Sequence, residues 1–447
     1  MSTYNRNMPL PERYAGEVPE MTQVWESAGY FNAQMGIWGA QSEARHELYG
    51  EPTADELLQI KGALVLTPDE VTTLNAASGH ETNKLLRHVQ SKLPDAVGNH
   101  LHRGNTSSDV LDTSLALQVK ESIGMVKSGF EELGVALLEK SGEHQDTLQI
   151  GRSHTQQALP QTFERQMLGW YAEVMRGVER FDRADQVISV GKLSGEIGTN
   201  VFIEPEFEEL ALKKLGLRPD EAPTQVISRD RHAEVLGINA INAATLARIA
   251  TDVRLLSISE VGEVREPFEA GSQQGSSSMP HKRNPELSER VVGVNRRIRS
   301  AAAEELDAMI LWLERDISHS STERFSFPDS FGLLAYATKL TTHIIRNLEV
   351  DPEKMAENVE KSFGAIYSGR LLNMLLDQGA YSRTEAYELV KGLALKAMKE
   401  KTLLYELAVD NSGITDHLTK EELDEAFDPK FYLHNIDTAK KRLGLIT

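Results

Sequence analysis

Cysteine is missing from this chain, which excludes disulfides, thiolate metal sites and a cysteine nucleophile, and fits a reducing compartment. Aromatic residues are few, 6% of the chain, and alternating runs such as "VISVGKLSG" stand isolated, so a β-rich fold is not expected. No apolar run approaches the roughly 18 residues of a membrane span. The first thirty residues lack a basic segment followed by an apolar stretch and a cleavage site. Positive charge is in deficit: Lys plus Arg number 48 and Asp plus Glu 67, a net charge of −19. That balance argues against nonspecific nucleic-acid binding through phosphate neutralisation, so any positive site has to be local. Together these absences lead to the expectation of a soluble, cytoplasmic protein with neither nucleic-acid nor membrane partners.

What is present is a chain of 447 residues, 40% hydrophobic and 26% charged, enough to bury a sizeable core and long enough for about three domains. From about residue 108 the apolar residues recur at helical spacing. Leu111, Leu115, Val119, Val126, Phe130, Leu133 and Leu137 form one stripe, with Ser107, Ser108 and Asp109 as N-cap candidates ahead of it. Similar stretches follow at about 161–190, 231–263, 287–313 and 329–350. The expectation is an all-α protein: an N-terminal helical domain over 1–108, a central long-helix bundle over 109–350, and a C-terminal helical domain over 351–447. The stretch "NAINAATLARIATDVRLLSISEVGEV" is apolar around much of its circumference, which suits either an oligomeric core or a central helix within one chain.

"GSQQGSSSMPHKRNP", residues 271–285, departs from this pattern. Gly and Ser suit a solvated linker. The tail with Pro280, Lys282, Arg283 and Pro285 is stiffer and cationic, as an anion-handling lid requires. A helix pattern begins directly behind it, with Asn284 as a plausible N-cap and Pro285 at the first helical position. An anion near Lys282 is therefore expected to meet both the cation and the helix start.

Three histidines, His80, His102 and His154, sit in polar, turn-rich contexts. "HLHRGNTSSDV" places His102 before Thr106 and Ser107 at a helix start, and "GRSHTQQALP" places His154 after Arg152 and Ser153. A lone histidine in such a place is more often structural than catalytic. No HExxH pair or local ligand spacing suggests a metal. "ERDISHSSTER" sets Arg315 and Arg324 around Ser320 and Ser321 in a polar break between apolar segments. It is either an anion clamp or a connection in which Glu314, Asp316 and Glu323 neutralise the arginines.

"GSSSMPHKRNP" resembles the signature loop of the fumarase, aspartase and argininosuccinase superfamily. With "SHTQQALPQTF", "HRGNTSSDV", "QVISRDRHAE" and "ERDISHSSTER", the chain resembles its adenylosuccinate lyase family from "RY" at 13 to "FYLHNIDTAKKRLGL" near the end. The resemblance implies a homotetramer with a twenty-helix core, five long helices from each subunit, and active sites each shared among three subunits. It implies β-elimination of fumarate from succinylated purine nucleotides, with no metal or organic cofactor. Ser276 becomes the general base and His154 the general acid. Lys282 and the loop amides would hold the substrate carboxylate, with Glu289 supporting His154 or the loop. His80 and His102 would line the substrate, Thr106 and Ser107 the succinyl group, and Gln225 would also touch substrate. Arg13, Tyr14, Arg290, Arg315, Ser320 and Arg324 would handle the nucleotide or its phosphate. "ALPQTF" is similar instead to the carboxymuconate cycloisomerase branch, and Gly79 stands where an arginine is common. A cycloisomerase, a lyase for another succinyl amine, and a non-catalytic structural homologue are the alternatives.

Overall fold

The computed structural model describes residues 10–268, 279 and 281–446. Ser276, with its neighbours Ser277 and Ser278, lies outside the described residues. Helices dominate, as the apolar periodicity requires. Five of 23 to 37 residues follow one another after residue 106: Ser107–Glu143, Phe163–Ile188, Asp230–Leu256, Glu286–Ala308 and Ser318–Arg346. Along the first of them Val119, Val126, Phe130, Leu133 and Leu137 are buried, each contributing about 1.5–3 kcal/mol by leaving water. Leu111 and Leu115, from the same stripe, are half-buried and border a cavity described below.

The fifth helix corrects the sequence-based expectation. Its apolar pattern predicts a start near 329, with "ERDISHSSTER" as a polar break before it. The helix instead begins at Ser318 and runs through Pro328. A proline inside a helix costs about 3 kcal/mol or more, and tertiary packing offsets it here. Phe327 and Phe331 are fully buried and stack on Trp25 at centroid distances of 6.3 and 6.2 Å. As a result Ser320 and Arg324 are helical residues four apart, on one face.

The chain divides into two compact units. The first comprises residues 1–133, 174–248 and 290–341. In it the Phe130 and Phe181 rings meet edge to face at 5.2 Å. A side chain at Gly177 would lie 2.9 Å from Asn242 Oδ1 and 3.0 Å from the Phe130 ring, so helix contact there requires glycine. The second unit comprises 134–173, 249–289 and 342–447. Its C-terminal helices, among them Ser368–Asp377 and Arg383–Glu400, close over a core of Leu371, Leu375, Val390, Ile414 and Leu423. Ser382 and Glu385 form a capping box that sets where the second of these helices starts.

One element in the second unit is absent from the sequence reading. Leu148–Ser153 and Gln156–Thr162 pair as an antiparallel hairpin with a register shift between Ile150 and Arg152. Few of its residues are β-branched or aromatic, and its turn is His-Thr rather than Asn-Gly, so the usual hairpin signals are missing.

Candidate active site

In the second unit, His154 and Thr155 are the two turn residues of that hairpin, with φ of 52° and 63°. Non-glycine residues in this left-handed region cost roughly 1–2 kcal/mol each. The hairpin is held despite that cost because its base is anchored. Glu263, fully buried, accepts from Arg152 Nη1 at 3.2 Å and Nη2 at 2.5 Å, from Gln149 Nε2 at 3.2 Å and from Asn358 Nδ2 at 2.7 Å. Gln157 Nε2 donates to the Asn358 carbonyl at 2.7 Å. The anchor sits two residues from His154, whose own side chain is exposed at the tip. Nothing in the sequence around Glu263 signalled this role.

Lys282 and Glu289 are exposed in the same unit. The expected anion site at the following helix start requires correction. The first-turn amides of Leu287 and Ser288 are already taken by the buried Glu266 carboxylate, at 2.9 and 2.6 Å. Glu289 N–H donates to the Pro285 carbonyl at 3.0 Å. The helix dipole therefore meets an internal anion, and with Arg283 paired to Glu349 at 3.0 and 2.7 Å, Lys282 would meet a substrate anion without help from these amides.

The first unit holds the remaining expected residues in three places. Arg315, Ser320 and Arg324 line one cavity with Tyr30, Asp112, Arg229, His319 and Glu323. Gln225 reaches it through its side-chain oxygen, which accepts from Arg315 Nη1 at 3.1 Å. Two of the three carboxylates near the arginines in sequence are occupied elsewhere. Asp316 accepts from the amides of Trp312 and Ser318, and Glu323 binds Arg229. Arg324 instead forms a two-pronged pair with Glu81, at 3.0 and 3.1 Å, and the Tyr30 hydroxyl also donates to Glu81 at 3.0 Å. Burial opposes ionisation of Glu81, but Arg324 outweighs it and keeps that carboxyl below its ordinary range. Glu81 directly follows His80, so adjacency was the one signal that could have singled it out.

Part of this cavity's wall is a buried ionic triad. Arg229, 1% exposed at its side chain, binds Asp112 at 2.7 and 3.0 Å and Glu323 at 2.7 and 3.4 Å. Glu305 is fully buried, and in its protonated form it can donate to the neighbouring Glu323 carboxylate. Burial, reinforced by Glu323 and Glu304 and opposed by Arg229, pushes its carboxyl up to about 8. The unfolded chain loses this proton near 4.5 and the folded protein keeps it to about 8, so stability falls as pH rises between those values. Glu305→Gln, which imitates the protonated form, is expected to leave stability nearly unchanged at pH 4 and to raise it by about 4 kcal/mol at pH 8. Urea unfolding of both proteins at the two pH values checks this, and an equal gain at both would refute the assignment.

Tyr14 and Arg290 line a second cavity with Leu10, Pro11, Gly293, Val294, Arg297, Asp329 and Leu333. Arg13, beside Tyr14, is exposed. The third place is the loop before the Ser107–Glu143 helix. His102 is half-buried with φ 60°, and burial, aided by nearby His80, lowers its pKa to about 4. His80 is exposed and immediately precedes the helix Glu81–Gln90. Thr106 N–H donates to Asp109 at 2.7 Å, and Asp109 is held by the buried Lys192 ammonium and the Gly195 amide. Asp109 thus anchors the helix start that carries Thr106 and Ser107, both half-buried. Among the described residues no group of three or more His, Asp or Glu is placed to hold a metal ion, and no helix is long and apolar enough to cross a membrane.

Chemically, the first unit offers guanidinium and hydroxyl donors for anionic oxygens, and the second offers an imidazole on a braced tip and an exposed ammonium. A family model described as "Lyase" matches residues 12–300, and one described as "Adenylosuccinate lyase C-terminus" matches 364–443. The chain is 41% identical over 435 residues to an adenylosuccinate lyase of Synechocystis sp., covering 97% of this chain and 100% of that one. It is 42% identical over 428 residues to one of Thermotoga maritima, covering 96% and 98%. Among solved structures it is similar to a fumarate lyase from Mesorhizobium sp., with a TM-score of 0.85, 24% identity, and 95% and 97% of the two chains covered. It is similar to the same degree, at 0.85 and 24%, to the 3-carboxy-cis,cis-muconate lactonizing enzyme of Pseudomonas putida, covering 95% and 96%. At that identity the structural likeness speaks for the all-α fold alone.

Proposed function

The chain belongs to the adenylosuccinate lyase family, and from that premise we propose that it is a C–N lyase releasing fumarate from adenylosuccinate, leaving AMP, and from the succinylated aminoimidazole-carboxamide ribotide of purine synthesis. The observation that carries this reading is the 41–42% identity to adenylosuccinate lyases over almost the full length.

The proposed chemistry runs as follows. Ser276 removes a proton from the carbon next to a substrate carboxylate, and the developing charge spreads onto that carboxylate, stabilised by the Lys282 ammonium. The bond from the adjacent carbon to nitrogen then breaks, a carbon–carbon double bond forms, and His154 gives its proton to the departing nitrogen. Histidine suits that role because the residue type ordinarily titrates near neutral pH. Glu289 supports this group. His80, His102, Thr106, Ser107 and Gln225 contact substrate, and Arg13, Tyr14, Arg290, Arg315, Ser320 and Arg324 take the nucleotide. No cofactor enters the scheme.

We place this chemistry in a cytoplasmic homotetramer with active sites shared between subunits. Two features support that placement. Five of the six nucleotide-handling residues line two different cavities of the first unit, Arg315, Ser320 and Arg324 the one and Tyr14 and Arg290 the other. In the same unit Leu306, Ile310, Trp312 and Leu313 are exposed, the last two at 79% and 92%, an apolar run that a partner subunit would cover. The deciding experiment is fumarate release by the purified protein with both purine substrates, alongside its mass by light scattering. Turnover of both by a species of four chains is expected. Absence of turnover with either would overturn the activity, and an active monomer would overturn the shared site.

A further inference from the structure

We propose that Trp38 is a positioning residue for this reaction: its indole N–H, bonded to His102 Nδ1, holds His102 in the tautomer whose proton is on Nε2, so that His102 serves substrate as a hydrogen-bond donor and not in proton transfer. The inference rests on the reading of His102 as a substrate contact.

Trp38 lies in the helix Ser27–Tyr49 and is fully buried. Its indole Nε1 is 3.3 Å from His102 Nδ1, and the two rings meet edge to face at 5.9 Å and 84°. An indole nitrogen can only donate, so Nδ1 must present its lone pair and carry no proton while the contact lasts. A buried indole N–H left without its acceptor would incur a desolvation cost, so the pairing binds both partners. One turn along the same helix, Gln41 Nε2 donates to Asn105 Oδ1 at 3.0 Å, so the loop is gripped twice from one helix face. On its other side, a side chain at Gly104, whose φ is 81°, would lie 3.1 Å from the Phe202 carbonyl. The loop is thus fixed from two directions, and among the described residues Nε2 has no protein partner.

These contacts determine what the ring can do. To act as a general acid it would have to be imidazolium, which would place an N–H at Nδ1 against the indole N–H. To act as a base it would need a bare nitrogen toward substrate, and the bare nitrogen faces Trp38. Burial, which lowers the His102 pKa to about 4, opposes the charged form as well. What remains is a neutral N–H donor for an anionic oxygen acceptor.

The test uses kcat and KM for fumarate release by the full-length protein. His102→Ala is expected to lower kcat/KM about ten- to hundredfold, the usual loss of a hydrogen bond to a charged group. His102→Gln, which keeps a neutral N–H donor, should recover about tenfold of that. Trp38→Phe should raise KM about three- to tenfold with kcat nearly kept, and should add less than about twofold in the His102→Gln background, because neighbours acting through one another are not additive. Equal Trp38→Phe effects in both backgrounds would make Trp38 a packing residue and overturn the proposal. Gln no better than Ala would overturn the donor role, and decides the matter even where Trp38→Phe does not fold. An unchanged kcat/KM in His102→Ala would instead sink the reading of His102 as a substrate contact.

Discussion

Replacing His154 with asparagine is expected to lower kcat for fumarate release by about 10²–10⁴-fold, the range that positioned acid–base groups contribute. Asparagine is the informative choice because position 154 has a φ of 52°, which asparagine tolerates better than most residues. The turn is therefore kept while the titratable ring is lost. Fold loss is not expected to confuse the result: the His154 side chain is exposed, and the hairpin is held by Glu263 through Arg152 and Gln149. Melting temperature should change little, since exposed substitutions usually stay within about 0.5 kcal/mol. Ser276→Ala should fall in the same range of kcat, as the loss of the partner base. If His154→Asn is nearly as active as the parent while His154→Ala is not, the residue serves turn geometry and the general-acid assignment is wrong.

The second large effect is on stability. Arg229→Leu should destabilise the fold by about 3–5 kcal/mol, measured by denaturant unfolding, because it leaves Asp112 and Glu323 as buried carboxylates without their cation. Burial alone opposes the charge on Arg229, and the two carboxylates outweigh it, so that its pKa is raised. Removing all three charges together, as Asp112→Leu, Arg229→Met and Glu323→Leu, should cost less than Arg229→Leu alone, since no unpaired charge then stays buried. If the triple variant loses more, the triad is a net source of stability. Activity should fall in either variant, because Asp112, Arg229 and Glu323 line the cavity that also holds Arg315, Ser320 and Arg324.

Much of this was legible beforehand, and the gaps have physical causes. The long helices could be read because each buries an apolar face, and burial leaves its period in the chain. The fifth helix reads as starting too late because "ERDISHSSTER" is polar and shows no apolar period, whereas the stacking of Phe327 and Phe331 on Trp25 is a long-range event. The helix start at Glu286 was placed within one residue, yet its occupant, Glu266, lies twenty residues upstream and carries no local mark. The two readings of "ERDISHSSTER" turned on which carboxylates its arginines would meet. The partner is Glu81, 243 positions away from Arg324.

By itself the sequence determined the helical class, the absence of thiol chemistry, and the family, because these follow from periodicity, composition and motifs carried on contiguous residues. Only the tertiary structure decided that His154 rides a strained hairpin tip, that Arg324 is held by Glu81, and that the Nδ1 edge of His102 faces Trp38. Hydrogen bonds and ion pairs form wherever folding brings donors and acceptors within about 3 Å. Distance in space leaves no period along the chain.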